Sequence, residues 1–312
     1  MNKIAFVFPG QGAQKTGMGQ DFYENSEIAH EIFDRASVVT GLDMKHLCFE
    51  ENEMLDLTEY TQAALVTTCL AMARCLEYRG VKPDVTAGLS LGEYCAIAMA
   101  GGINDEDAIR LVRKRGSYME HAVPEGEGAM AAILGMDSVK ISELIKGKKH
   151  VYVANYNCPG QTVITGAKEG VLEAADLLKE NGAKKVVVLN VSGPFHSPLL
   201  AEAKKQMEEE LQKVLFKDLK IPYVTNVTAE YISDIGRTRE LLADQVCASV
   251  RWQQSVERMI EDGVDTFVEI GPGRTLTGFI RKIDKNVKTI NVSKWEDLDV
   301  AVKELTGESD NE

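Results

Sequence analysis

The sequence predicts a mostly parallel α/β sheet with helices on both faces and a ferredoxin-like subdomain inserted into it, and three observations carry that prediction. Apolar, β-branched runs at residues 4–8, 85–89 and 266–270 are each followed by a helical pattern, at 21–37, 91–100 and 275–283; this alternation is that of a parallel sheet. Glycines punctuate every strand exit: Gly10 and Gly12, Gly88 and Gly92, Gly271 and Gly273. Ligands of open α/β sheets gather at those carboxyl ends. The third observation is a change of rhythm over residues 127–191.

That stretch reads strand 129–134, helix 137–146, strand 151–157, strand 162–166, helix 168–181, strand 185–191, the order of a ferredoxin-like unit. The division expected is a large domain from residues 1–126 and 192–312, with a small subdomain of residues 127–191 set into it. A cleft between two such bodies is where a small ligand usually binds.

The 312 residues, 44% hydrophobic and 27% charged, suffice for a substantial core and match ordinary globular usage. The apolar run at the N-terminus stops at Pro9-Gly10, too short for a signal-peptide core or a membrane span. It reads as the buried first strand of a cytoplasmic, monomeric protein without membrane contact. Cys48, Cys69, Cys75, Cys95, Cys158 and Cys247 contain no C-x-x-C pair and are expected as reduced thiols. A net charge of −13 disfavours a phosphate-backbone partner, so nucleic acid is not expected. Residues 307–312, acidic and polar, read as a frayed tail.

Gly88-Leu89-Ser90-Leu91-Gly92 is a G-x-S-x-G pentapeptide between an apolar strand and a helical run, the setting of a nucleophile elbow and of an α/β-hydrolase-like sheet. The turn is so tight that positions two before and two after the serine must lack a Cβ, and both are glycine. Ser90 then sits at a helix N-terminus, where free amides favour negative charge on a bound carbonyl oxygen, and the Leu91 N–H is the natural oxyanion donor.

A serine nucleophile needs a base. Of the five histidines, His30, His46, His121 and His150 sit in helical or polar surroundings typical of solvated side chains. His196 instead lies in Ser192-Gly193-Pro194-Phe195-His196-Ser197-Pro198, a rigid turn at a strand exit and at the expected subdomain junction, where a base could face Ser90 across a cleft. No aspartate or glutamate stands out as a third member. A carbonyl or an amide could hold the imidazole instead, and the sequence leaves dyad and triad both open.

On the helix that follows Asn104, residues 108, 109, 111, 112, 116 and 119 form one apolar stripe, and Arg115 falls near its middle while Arg110, Arg113 and Lys114 face the other way. A guanidinium there needs an internal carboxylate, a path to water, or an anionic ligand. The last would make Arg115 a clamp for a substrate carboxylate.

Phe8-Pro9-Gly10-Gln11-Gly12, Gly-Leu-Ser-Leu-Gly-Glu at 88–93, Arg115-Gly116 and Gly-Pro-Phe-His-Ser at 193–197 occur in that order. With Gln245 ahead of Arg251-Trp252, and Glu269-Ile270-Gly271-Pro272-Gly273, the chain resembles the malonyl-CoA:acyl carrier protein transacylases over nearly its whole length. The resemblance implies a ping-pong reaction in which His196 activates Ser90, Ser90 takes the malonyl group from malonyl-CoA, and the phosphopantetheine thiol of acyl carrier protein collects it. It further implies that the Gln11 and Leu91 amides form the oxyanion hole, that Arg115 pairs with the malonyl carboxylate, and that Gln245 orients His196 through its backbone carbonyl. No metal and no cofactor beyond the coenzyme A thioester is implied, and residues 10–14 lack the spacing of a dinucleotide-binding loop. One departure is Leu89, where the family usually has histidine. The competing readings are a serine esterase or thioesterase, and a carrier-protein binding module without turnover.

Overall fold

The computed structural model describes residues 3–191 and 193–307; residues 1–2, Ser192 of the expected turn before His196, and 308–312 of the expected tail lie outside them. β1 (Lys3–Phe8) lies centrally in a six-stranded sheet ordered β10-β9-β1-β2-β7-β8, where β2 is Val85–Gly88, β7 Tyr223–Val224, β8 Tyr231–Ile232, β9 Val264–Ile270 and β10 Lys288–Val292. Every pairing except the antiparallel β7–β8 edge is parallel. The period of two along β1 sends Phe6 and Phe8 to one apolar layer and Ala5 and Val7 to the other. A strand buried on both faces reads as a continuous apolar run, which is why the first segment was legible as a parallel strand.

The expected helix 21–37 is two helices, α1 (Gln20–Asn25) and α2 (Glu27–Thr40). Ser26 separates them in an extended conformation, its side chain accepting from Ala29 N–H as an N-cap. After α3 (Met44–Phe49) comes α4 (Thr58–Tyr78), apolar nearly all round and almost wholly buried, as an interior helix must be. α5 (Gly92–Met99) and α6 (Asp105–Glu120) follow β2.

The second sheet is antiparallel, ordered β4-β5-β3-β6 from β3 (Gly128–Leu134), β4 (Val151–Cys158), β5 (Gln161–Ala167) and β6 (Lys185–Val188). With α7 (Ser138–Ile145) and α8 (Lys168–Glu180) it has the ferredoxin-like order and pairing. β6 is shorter than the expected 185–191: Leu189 N–H still reaches Met130 O at 2.9 Å, but residues 189–191 line the cleft between the sheets. After α9 (Ala201–Gln212) the chain returns to the large sheet through α10 (Thr238–Gln245), α11 (Trp252–Glu261), α12 (Thr275–Ile283) and α13 (Asp297–Thr306). The two sheets are tied where Val250 N–H donates to Ala154 O at 2.8 Å and Tyr156 N–H donates to Val250 O at 2.9 Å. All six cysteines are free thiols. No described helix is long and apolar enough to cross a membrane.

Candidate active site

β2 ends at Gly88 and α5 begins at Gly92, leaving Ser90 at the apex with φ of 51°, a left-handed value that non-glycine residues adopt at a cost and that marks an elbow. A Cβ on Gly88 would lie 1.9 Å from the carbonyl carbon of Gly92, and one on Gly92 would lie 2.2 Å from Phe8 O. Asn226, just after β7, clamps the turn from below. Its Oδ1 accepts from Ser90 N–H at 2.6 Å and its Nδ2 donates to Gly88 O at 2.7 Å. Nothing in the sequence around Asn226 marks that role, because the clamp exists only once β7 pairs with β2.

His196 is buried, with φ of 58°. Its Nε2 lies 2.7 Å from Ser90 Oγ, and its Nδ1 lies 2.9 Å from Gln245 O and 3.2 Å from Ala248 O. Both partners of Nδ1 are carbonyls and can only accept, so Nδ1 carries the hydrogen and Nε2 is left to accept from the serine hydroxyl. The tautomer is fixed by backbone, with no carboxylate on Nδ1 among the described residues. Burial, and then the charge of Arg115, pull the imidazole down to about 4, so it is a neutral acceptor at pH 7. Of the other histidines, His46, His121 and His150 are exposed and His30, half-buried, stacks on Tyr23.

Arg115 is 1% exposed on the apolar face of α6, whose N-cap Asn104 accepts from Asp107 N–H. Arg110 and Arg113, on the other face, pair with Asp107 and Glu59. Nη1 of Arg115 donates to Gln62 Oε1 at 2.8 Å, and Nη2 donates to Gln245 Oε1 at 3.0 Å and to Ser90 Oγ at 3.1 Å. Among the described residues it has no carboxylate partner, and its Nε has no partner at all. No direct ion pair among the described residues accounts for a cation at this position, although the buried Glu93 acts on it from the far side of Gln245. Gln62, on the interior helix α4, carried no sequence signal, since a glutamine in an apolar helix reads as a tolerated polar residue.

These groups face a cavity of about 500 Å³ between the two sheets, bounded by the 10–14 loop, the elbow, Asn155 and Asn157 of β4, and Leu276 and Phe279 of α12. Leu89 lines it also. Gln11 is pinned by its side chain, which donates to Thr58 Oγ1 at 2.9 Å. Its backbone N–H and that of Leu91 have no acceptor among the described residues. A serine held against a neutral imidazole, with free amides on one side and an unneutralised cation on the other, is equipped to form an ester with an anionic acyl group.

The acyl transferase domain model matches residues 5–305, which makes the chain an acyltransferase. The malonyl CoA-acyl carrier protein transacylase of Bacillus subtilis (strain 168) is 44% identical over 316 residues, covering 100% of both chains. The crystal structure of the malonyl CoA-acyl carrier protein transacylase from Clostridium perfringens superposes with a TM-score of 0.94 at 42% identity, covering 98% of each chain. A malonyl-transacylase solved in complex with its type II PKS acyl-carrier protein gives 0.94 at 38% identity, covering 97% of this chain and 99% of that one. The chain belongs to the malonyl CoA–acyl carrier protein transacylase family.

Proposed function

We propose that this enzyme moves a malonyl group from malonyl-CoA to the phosphopantetheine thiol of an acyl carrier protein, through a malonyl ester on Ser90, and so supplies fatty acid or polyketide chain extension. The observation that carries the reading is the contact of Ser90 Oγ with His196 Nε2 at 2.7 Å and with the unneutralised Arg115 Nη2 at 3.1 Å. His196 Nε2 takes the hydroxyl proton as Oγ adds to the thioester carbonyl, and the Gln11 and Leu91 amides hold the oxyanion. Collapse breaks the C–S bond, and coenzyme A leaves with the proton from His196. In the second half the carrier thiol gives its proton to the same nitrogen, its sulfur adds to the malonyl ester, and Ser90 departs and is reprotonated. Gln245 keeps the imidazole aligned through its carbonyl, and Arg115 holds the malonyl carboxylate throughout.

Residues 127–191 act as a separate subdomain in this reading and form one wall of the cleft. The chain works without a metal or redox group, as a monomer in the cytoplasm. The test is the mass of the intact protein after incubation with malonyl-CoA. An increment of one malonyl group is expected for the native enzyme and none for Ser90→Ala; an adduct that persists in Ser90→Ala, or the absence of any native adduct, overturns the assignment.

A further inference from the structure

Glu93 is a carboxylate for which the reaction above has no use. It is the second residue of α5, three positions past the nucleophile, and is fully buried. Its Oε2 accepts from Gln245 Nε2 at 2.5 Å and from Asn226 N–H at 3.3 Å. Neither its Oε1 nor the Thr225 hydroxyl has a hydrogen-bonding partner among the described residues, although Thr225 is one of the groups that act to lower this carboxyl. Burial pushes this carboxyl up to about 7, against the opposing pull of Thr225, Gln245, Asn226 and Arg115. A buried carboxylate left this incompletely satisfied is costly, and such a group persists where it holds something in place.

What it holds are the two residues that organise the site. Gln245 gives its backbone carbonyl to His196 Nδ1, its Oε1 to Arg115 Nη2, and its Nε2 to Ser90 O at 2.9 Å. Asn226 spans the elbow from Ser90 N–H to Gly88 O. Oε2 of Glu93 accepts whether the group is ionised or carries a proton on Oε1, so it draws the NH₂ end of Gln245 toward the elbow and leaves Oε1 of Gln245 facing the guanidinium. The reversed amide would set donor against donor at Arg115 and acceptor against acceptor at Glu93.

We propose that Glu93 is a positioning residue for malonyl transfer: it locks the side-chain amide of Gln245, and through it holds Arg115 where the substrate carboxylate arrives. The inference rests on the malonyl-transfer reading and assigns the carboxylate recognition to a chain that runs Glu93, Gln245, Arg115.

Two rates separate positioning from general support of the fold. One is kcat/KM for malonyl-CoA, which needs the Arg115 clamp. The other is the rate at which a neutral alkyl fluorophosphonate modifies Ser90, which needs the nucleophile, its base and the nearby charge of Arg115 but no clamp on a carboxylate. In Glu93→Ala the malonyl rate should fall at least about tenfold, mostly through KM, while phosphonylation stays within about threefold of native. Glu93→Gln keeps an acceptor oxygen for both donors and should recover most of the loss. Should Glu93→Ala fail to fold, Glu93→Asp, one methylene short of Gln245, carries the same comparison. Both rates falling together with the melting temperature would overturn the positioning role, and so would a native malonyl rate in the variant. A native enzyme that takes up no malonyl group would instead sink the transfer reading itself.

Discussion

Nη2 of Arg115 donates to Ser90 Oγ at 3.1 Å, so the buried cation rests on the proposed nucleophile itself. Its charge acts on two groups there. It favours the developing alkoxide on Ser90, and after burial it is the second cause that holds His196 below its ordinary value. An incoming carboxylate would compete with the serine for the same N–H, so that binding the substrate also frees the hydroxyl to attack.

The depressed base sets the acid limb of the rate. The neutral imidazole is the active form, so acylation should hold as pH falls through 6 and fail only near pH 4. The single-turnover rate of malonyl-CoA loss, measured from pH 3.5 to 8, checks this. An acid limb at about 6.5, the value of a solvated histidine, would show that the imidazole is neither dry nor under the field of Arg115.

The same two buried groups bend stability in opposite directions. His196 has a folded value below its unfolded one, so its contribution is in place above about 6.5 and is lost as pH falls toward 4. Glu93 is raised from 4.5 to about 7, so its contribution is in place below 4.5 and is lost as pH rises through 7. Glu93→Gln removes the second slope only. Between pH 4.5 and 6.5 the melting temperature of the variant should therefore climb more steeply with pH than that of the native protein, and parallel curves would contradict a Glu93 carboxyl raised by burial.

Ser90, His196 and Arg115 were legible as candidates in the sequence because each breaks a local pattern. Ser90 interrupts a strand-to-helix run with flanking glycines, His196 sits in a proline-framed turn, and Arg115 falls on a stripe that should be apolar. Asn226, Gln62 and Glu93 break no such pattern. Each reads as an ordinary polar residue in its own element, and their roles come from distances of 2.5–2.8 Å across 53 to 152 positions of chain. The choice between a backbone and a carboxylate partner for His196 was closed in the same way, since carbonyls at 245 and 248 reach Nδ1 only after α10 docks beside the elbow. Helix and strand ends were off where a single residue decides, as at Ser26.

The elbow glycines give a direct packing test. Gly88→Ala would place a methyl 1.9 Å from the Gly92 carbonyl carbon, backbone against backbone. Neither side can move without unpairing β2 or unwinding α5, so the change should cost about 3 kcal/mol or more and shift thermal unfolding by several degrees. Gly12→Ala, where nothing lies within 4 Å of the added carbon but φ is 103°, should show backbone strain alone and a smaller shift.

The carrier must reach this cleft, and an acidic carrier meeting a chain of net charge −13 needs a local basic surface. Three pairs are candidates. Lys204 is already engaged by Asp244 at 2.6 Å and Glu208 at 3.8 Å, whereas Lys184, Lys185, Arg281 and Lys282 are exposed, the last two at the end of the helix whose Leu276 and Phe279 line the cavity. Charge reversal at 281 and 282 should raise KM for the carrier several-fold and leave KM for malonyl-CoA unchanged, with a smaller effect at 204 and 205. Equal carrier kinetics in all the variants would place docking elsewhere.

Arg115→Ala tests what the buried cation is for. With Gln62, Gln245 and Ser90 as its hydrogen-bond partners and the Tyr94 ring centroid 5.8 Å away, the guanidinium makes no direct ion pair among the described residues. Its removal therefore breaks no direct ion pair, although the buried Glu93, on the far side of Gln245, loses the cation that opposes its desolvation. The melting temperature should change little, since relief of the guanidinium's own desolvation penalty is set against the loss of its field at the buried Glu93. Malonyl transfer should behave differently. The substrate carboxylate would enter the same dry pocket unpaired, which costs about 3 kcal/mol, or roughly a hundredfold in kcat/KM. Acetyl-CoA carries no such group and should lose only what the Ser90 alkoxide loses with the cation, much less than malonyl-CoA loses. The decisive quantity is the ratio of malonyl to acetyl kcat/KM in native enzyme and variant, read beside the melting temperature. A ratio that stays constant while the melting temperature drops would mean that Arg115 supports the fold and that the carboxylate is recognised elsewhere.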